Sequence, residues 1–308
     1  MTIALARSLC ENATVPTARS PSCHRWRPEE LERWHKFHAL LVDEASSYAP
    51  PNGRDGGSLL LVGDSITEAF RGTAIGERKK RTAGVEESLL PLSADYPSPL
   101  ILAISGDETQ HLLWRLLSGE LSASVSRASE LWISLLIGTN NLGLGRHSPE
   151  EAAAGVLAVA RTLLQRTRGR LLVHAILPRD EGPGMRALRL KRKQPTPFSW
   201  MPHVHRTNAL VAAGVDTDLA LRFPGRVRTA DCGAIFRPRE HQSSRNERAG
   251  PHPPLVEVNQ TLMPDEVHPS IEGSRLLAEC VRRALRRWRS DVDEATSTWW
   301  VATRGDST

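Results

Sequence analysis

Leu59 to Gly72 reads LLLVGDSITEAFRG, an apolar run that stops at a Gly-Asp-Ser step and gives way to a segment of helical character. A short aliphatic run bounded by turn residues fits a strand buried on both faces. A serine just past the C-terminal end of such a strand, where the backbone turns into a helix, is a position from which an α/β protein can present a nucleophile. Ser65 is the candidate. Gly-Asp-Ser is also ordinary turn chemistry after any strand, so the functional reading needs support from elsewhere in the chain.

Working outward, further strand candidates lie at Leu100 to Ile104, Glu130 to Ile137, Arg170 to Leu177 and Arg226 to Ala230. Helical patterns separate them. Leu112, Leu113, Leu116 and Leu117 form one apolar stripe, and Ala152, Val156, Val159 and Leu163 another. The second opens with Ser148-Pro149-Glu150-Glu151, an N-cap serine with proline in the first turn and a capping-box glutamate. An amphipathic helix carrying Leu31, Trp34, His38 and Leu41 precedes the first strand, and another runs from about Ser270 to Trp288 with arginines on its outer face. Strand then helix, repeated, predicts an α/β fold, a parallel sheet with helices on both faces.

Three other segments follow apolar runs or open helices: Gly106 in ISGDETQHLLWRL, Asn140 in LLIGTNNLG, and Asp265 with His268 in MPDEVHPS. Together with Gly-Asp-Ser, in this order, they resemble the SGNH hydrolases, also called GDSL esterases. The stretch GDETQHLLWRLLSGEL resembles platelet-activating factor acetylhydrolase catalytic (alpha) subunits. The resemblance covers roughly Leu59 to Leu285. It implies a three-layer α/β/α sandwich of flavodoxin-like type with a central five-stranded parallel sheet, and a serine esterase activity. It also implies an oxyanion hole made by the backbone amides of Ser65 and Gly106 and the side-chain amide of Asn140. The chain departs from the pattern at Ser105, where many relatives have glycine, at Glu266, often a small residue, and in two insertions.

Chemistry supports the same roles. A serine hydroxyl needs a base to take its proton during attack. Among eleven histidines, His268 is preferred, because Asp265 three residues earlier can accept from the imidazole and fix its tautomer. His111 sits on a helical stripe, His174 in a strand, and His203, His205, His241 and His252 in irregular segments. Asp64 is read as a support for the turn. There is no G-x-S-x-G elbow, and the His and Cys spacing calls for no metal or other cofactor. The leading reading is hydrolysis of a short-chain, acetyl-type oxygen ester of a lipid or carbohydrate through an acyl-enzyme. O-acyl transfer from the same site and a non-catalytic binding protein of the same fold are the alternatives.

The 308 residues are 40% hydrophobic and 24% charged, a globular composition with no apolar run of membrane-spanning length. The net charge of +5 comes mainly from arginine, and with 5% aromatic residues no nucleic-acid partner is expected. A small-molecule ester is the expected partner, with a homodimer or heterodimer compatible with it. Residues 1–27 read as a disordered extension or an organellar transit peptide, and the cytoplasm is the default compartment otherwise. Residues 28–290 form the hydrolase domain, with insertions near 181–202 and 236–258 that leave the C-terminal ends of strands. Residues 291–308 read as a disordered tail that includes Trp299-Trp300. Cys10, Cys23, Cys232 and Cys280 lack C-x-x-C spacing and are expected to be free thiols, with a Cys10–Cys23 pair as the alternative.

Overall fold

The computed structural model of the chain describes residues 12–20, 26–49, 57–182, 199–238 and 258–304, those beyond 293 as backbone alone. Most of both insertions, together with Cys10, Cys23, His241 and His252, lies outside the described residues.

Five strands form one sheet: β1 (Ser58–Gly63), β2 (Leu100–Ala103), β3 (Leu131–Leu136), β4 (Arg170–His174) and β5 (Val227–Ala230). Their order is β2-β1-β3-β4-β5, all parallel. Parallel neighbours require crossovers, and each crossover contains a helix or helical turn. Because β1 is covered on both sides, every residue from Ser58 to Gly63 is buried, which is why it reads as a continuous apolar run.

Successive side chains of a strand point to opposite faces. Leu60 and Val62 pack on one side against α1 (Pro28–Ser47), α2 (Thr109–Arg115), α3 (Pro149–Arg166) and α4 (Met201–Gly214). Leu59 and Leu61 pack on the other side with Leu277, Ala278, Val281, Leu285 and Trp288 of α5 (Ile271–Arg304). The result is a three-layer α/β/α sandwich. The cap of α3 forms as its spacing predicts: Ser148 Oγ accepts from the Glu151 N–H and Glu151 Oε2 from the Ser148 N–H. Such a cap typically contributes about 1 kcal/mol.

Three expectations are corrected. Residues 12–20, expected within a disordered extension, pack against α2: Thr17 N–H donates to the Gln110 carbonyl, Thr109 Oγ1 to the Ala13 carbonyl, and Arg19 is 2% exposed. The polar character that read as disorder is used in tertiary hydrogen bonds. The last helix does not end near Trp288 but continues to Arg304. Cys232 and Cys280 are not free thiols but a disulfide joining the segment after β5 to α5; their 48-residue separation gives no local signal.

Candidate active site

The first turn after β1 is shaped by its glycine. A Cβ on Gly63 would lie 2.4 Å from both the Leu136 carbonyl and Thr67 Oγ1, so only glycine fits between β3 and the turn. Asp64 then caps a one-turn helix, Ser65–Glu68, its Oδ1 accepting from the Ile66 N–H at 3.1 Å. Ser65, in the first helical position, sets its hydroxyl within hydrogen-bond reach of His268.

His268 and Asp265 come from the loop before α5, His268 203 residues from Ser65 in sequence. His268 Nε2 lies 2.9 Å from Ser65 Oγ, and Nδ1 lies 2.7 Å from Asp265 Oδ2. With Nδ1–H donating to the carboxylate, Nε2 is the acceptor for the serine hydroxyl. Asp265 Oδ1 also accepts from the Val267 and His268 backbone N–H groups, at 3.0 and 2.7 Å. Partial burial pushes the Asp265 carboxyl up, but the hydrogen bond from His268, its charge and the two backbone donors outweigh this and bring it down to about 2. Asp265 is therefore an anion at any pH where the imidazole could act as base, which stabilises the imidazolium that proton transfer creates.

The other two predicted residues end the neighbouring strands. Gly106 follows β2 with φ +81°, in the left-handed region, and an added Cβ would meet Trp26 at 3.0 Å and Arg19 Nη2 at 3.2 Å. Asn140 follows β3, buried, and donates one side-chain N–H to the Asp107 carbonyl at 2.9 Å. A primary amide has two donors, and among the described residues the second makes no hydrogen bond. The order β2-β1-β3 places Ser65 between these two loops, at the switch point where open α/β sheets bind ligands.

Sequence reading missed the residues that hold these loops together. Glu68, fully buried, accepts from the Ser105 N–H and hydroxyl, both at 2.6 Å, from Thr73 Oγ1 at 2.8 Å, and from the Ile75 and Gly76 N–H groups at 2.9 Å. It ties the nucleophile turn to the Gly106 loop, and gives Ser105 a reason to carry a hydroxyl. Asp107 is held by Arg19, Trp34 and Arg115, and Arg115 in turn pairs with Glu120. Their signal was in the sequence only as scattered charges beside apolar stripes. Glu266, the other departure, sits at φ +65° and accepts from the Gly182 N–H and Gln260 Nε2, joining the His268 loop to the segment after β4.

Asp64 differs from Asp265. Burial drives its carboxyl up, the Ile66 N–H opposes this, the charge of Asp107 adds to it, and Arg179 and Arg81 oppose, leaving it at about 7. Such a group suits a turn support better than an orienting anion. Among the described residues no three or more His, Cys, Asp or Glu side chains are grouped to hold a metal ion, and no helix is long and apolar enough to cross a membrane.

No family model matches the chain. The alpha2 subunit of platelet-activating factor acetylhydrolase IB from Gallus gallus is 31% identical over 153 residues, 49% of this chain and 55% of that protein. The Homo sapiens alpha1 subunit is 29% identical over 163 residues, 53% and 58% of the two chains. The chain thus spans little more than half the length of the curated relatives it matches. Solved structures share the fold, among them two with TM-scores above 0.5. A Streptococcus pneumoniae protein described as a platelet activating factor has a TM-score of 0.53 at 19% identity, covering 83% of this chain and 94% of its own. A Bacteroides fragilis protein described as an acylhydrolase has a TM-score of 0.54 at 12% identity, covering 85% and 98%.

Proposed function

We propose that this chain, similar in sequence to the platelet-activating factor acetylhydrolase alpha subunits, is an SGNH hydrolase and a serine esterase that removes a short acyl group, acetyl by preference, from an oxygen ester. The observation that carries the reading is the hydrogen-bonded line Ser65–His268–Asp265. In it Ser65 Oγ attacks the ester carbonyl while His268 Nε2 takes the hydroxyl proton. His268 then returns that proton to the leaving alkoxide, and water, activated by the same nitrogen, releases the acid from the acyl-enzyme. The Ser65 and Gly106 amides and the Asn140 side chain serve the carbonyl oxygen as it becomes negative. The named activity of the relatives favours acetyl as the acyl group.

The test is hydrolysis of p-nitrophenyl acetate. Ser65→Ala and His268→Ala should each lower kcat by at least about a thousandfold, and Asn140→Ala by about a hundred- to a thousandfold, the usual effect of removing one oxyanion donor. Turnover by Ser65→Ala equal to wild type would remove the proposal and favour a binding protein of the same fold. Slow hydrolysis with rapid transfer to an added alcohol would place the chain among O-acyltransferases, on the same residues.

A further inference from the structure

The esterase reading leaves two arginines beside the site without a task. Arg179 follows β4, and its Nη1 donates to the Thr139 carbonyl at 2.6 Å and hydroxyl at 3.0 Å. Thr139 immediately precedes Asn140. The guanidinium stacks 5.0 Å from the centre of the Trp200 ring and lies over Gly143, where an added Cβ would come within 2.4 Å of Nη1. Its Nε is buried and has no hydrogen-bond partner among the described residues. Arg81 stands on the other side: its Nη2 donates to Ser105 Oγ at 3.3 Å, and Ser105 immediately precedes Gly106.

Each arginine is therefore fixed one residue ahead of a candidate oxyanion donor, one at the end of β2 and one at the end of β3. The sheet order sets the end of β1 between them, so the two guanidinium groups flank Ser65. Arg81 feels the charge of Glu68 first, and both arginines feel those of Asp64 and Asp265. Five N–H donors per guanidinium exceed what these loops use. Among the described residues Arg81 makes one hydrogen bond, and Arg179 makes both of its own through Nη1. A neutral acetyl ester has nothing to occupy the rest, because its carbonyl oxygen is served by the oxyanion donors. A carboxylate or phosphate matches the guanidinium fork in charge and geometry.

We propose that Arg81 and Arg179 are specificity-determining residues that hold an anionic group, a carboxylate or a phosphate, on the alcohol portion of the ester substrate. This rests on the serine-esterase reading and narrows its substrate class.

The full-length chain is assayed on three acetyl esters: p-nitrophenyl acetate, which is neutral, 3-acetoxybenzoate and 1-acetylglycerol 3-phosphate. Wild type, Arg81→Gln, Arg179→Gln and Arg179→Lys are compared by the ratio of kcat/KM on each anionic ester to that on the neutral one. Each Gln substitution should lower the ratio for the preferred anionic ester at least about tenfold, as expected for a lost charge-assisted hydrogen bond, with the loss carried by KM. Lysine should restore part of it, and rising salt should erode the wild-type ratio. Preference for the phosphate points to a phospholipid-like alcohol, and preference for the carboxylate to an acidic sugar or similar acid. If the Gln variants lower all three activities in proportion, the arginines only brace the loops and the proposal is overturned. If wild type cleaves none of the esters and Ser65 resists a fluorophosphonate, the esterase reading falls first and takes this proposal with it. Should a Gln variant fail to fold, inhibition of wild type decides. Salt-sensitive inhibition competitive with p-nitrophenyl acetate is expected from benzoate or from glycerol 3-phosphate tested beside it, and its absence with both overturns the proposal.

Discussion

Asp64 and His174 are buried ionisable side chains with opposite demands. His174 bonds Ser134 Oγ through Nε2 at 2.9 Å, and burial lowers its imidazole to about 4, with Asp231 opposing. Its folded value lies below that of a free histidine, so the unfolded chain binds the extra proton between pH about 6.5 and 4, and stability falls as pH drops through that window. Asp64, at about 7, binds its proton more tightly when folded, so stability falls as pH rises from about 4 to 7. Each shift corresponds to about 3 to 4 kcal/mol, and in wild type the two slopes largely cancel. Urea unfolding followed by tryptophan fluorescence should therefore separate the variants. Asp64→Asn should become more stable from pH 4.5 to 7, and His174→Gln less stable over the same range. Parallel profiles for the two variants would contradict both assignments. The residues of the candidate site stood out at this scale, with their roles implied by the resemblance. Ser65, Gly106, Asn140, Asp265 and His268 all follow strand ends or precede a helix, where turn residues stand out against apolar runs. Glu68, Arg19, Arg81 and Arg179 were not legible, because their partners are backbone groups and loops distant in sequence.

At the scale of elements, the first four strands could be read because burial makes each a largely apolar run, whereas β5 exposes Arg228 and Thr229 and gives a weaker signal, and the strand ends could not be placed to the residue. The fourth ends at His174 instead of Leu177. Segment 12–20 could not be read at all: its order comes from α2 and from Asp107, which no local pattern in the segment announces. The same applies to the disulfide. Cys232 and Cys280 enclose the loop that carries Asp265 and His268, so the cross-link restricts the unfolded chain and anchors the start of α5 beside β5. Cross-links closing loops of this size typically contribute about 2 to 4 kcal/mol. Reduction, or Cys280→Ala, should lower the unfolding free energy by that amount. An unchanged thermal midpoint with and without reductant would show that the bridge carries no load. Disulfides persist in oxidising compartments and are rare in a reducing cytosol, so the redox state of this pair in the native chain also reports on where the chain resides.

At the scale of the whole molecule, the order β2-β1-β3-β4-β5 does what no motif can do alone. It sets the loop after β1 between those after β2 and β3, and α5, packed on the opposite face from α1 to α4, delivers the His268 loop to the same edge. The strand and helix count was open to a reader of the sequence; the convergence was implied by resemblance and depends on packing between segments far apart in the chain. The central claim is that this edge carries one activated hydroxyl. Labelling with a fluorophosphonate, followed by peptide mass mapping, tests it most directly. The account predicts a single adduct on Ser65 in wild type, strongly slowed in His268→Ala and absent in Ser65→Ala. Equal labelling of wild type and His268→Ala, or an adduct on another serine, would contradict it.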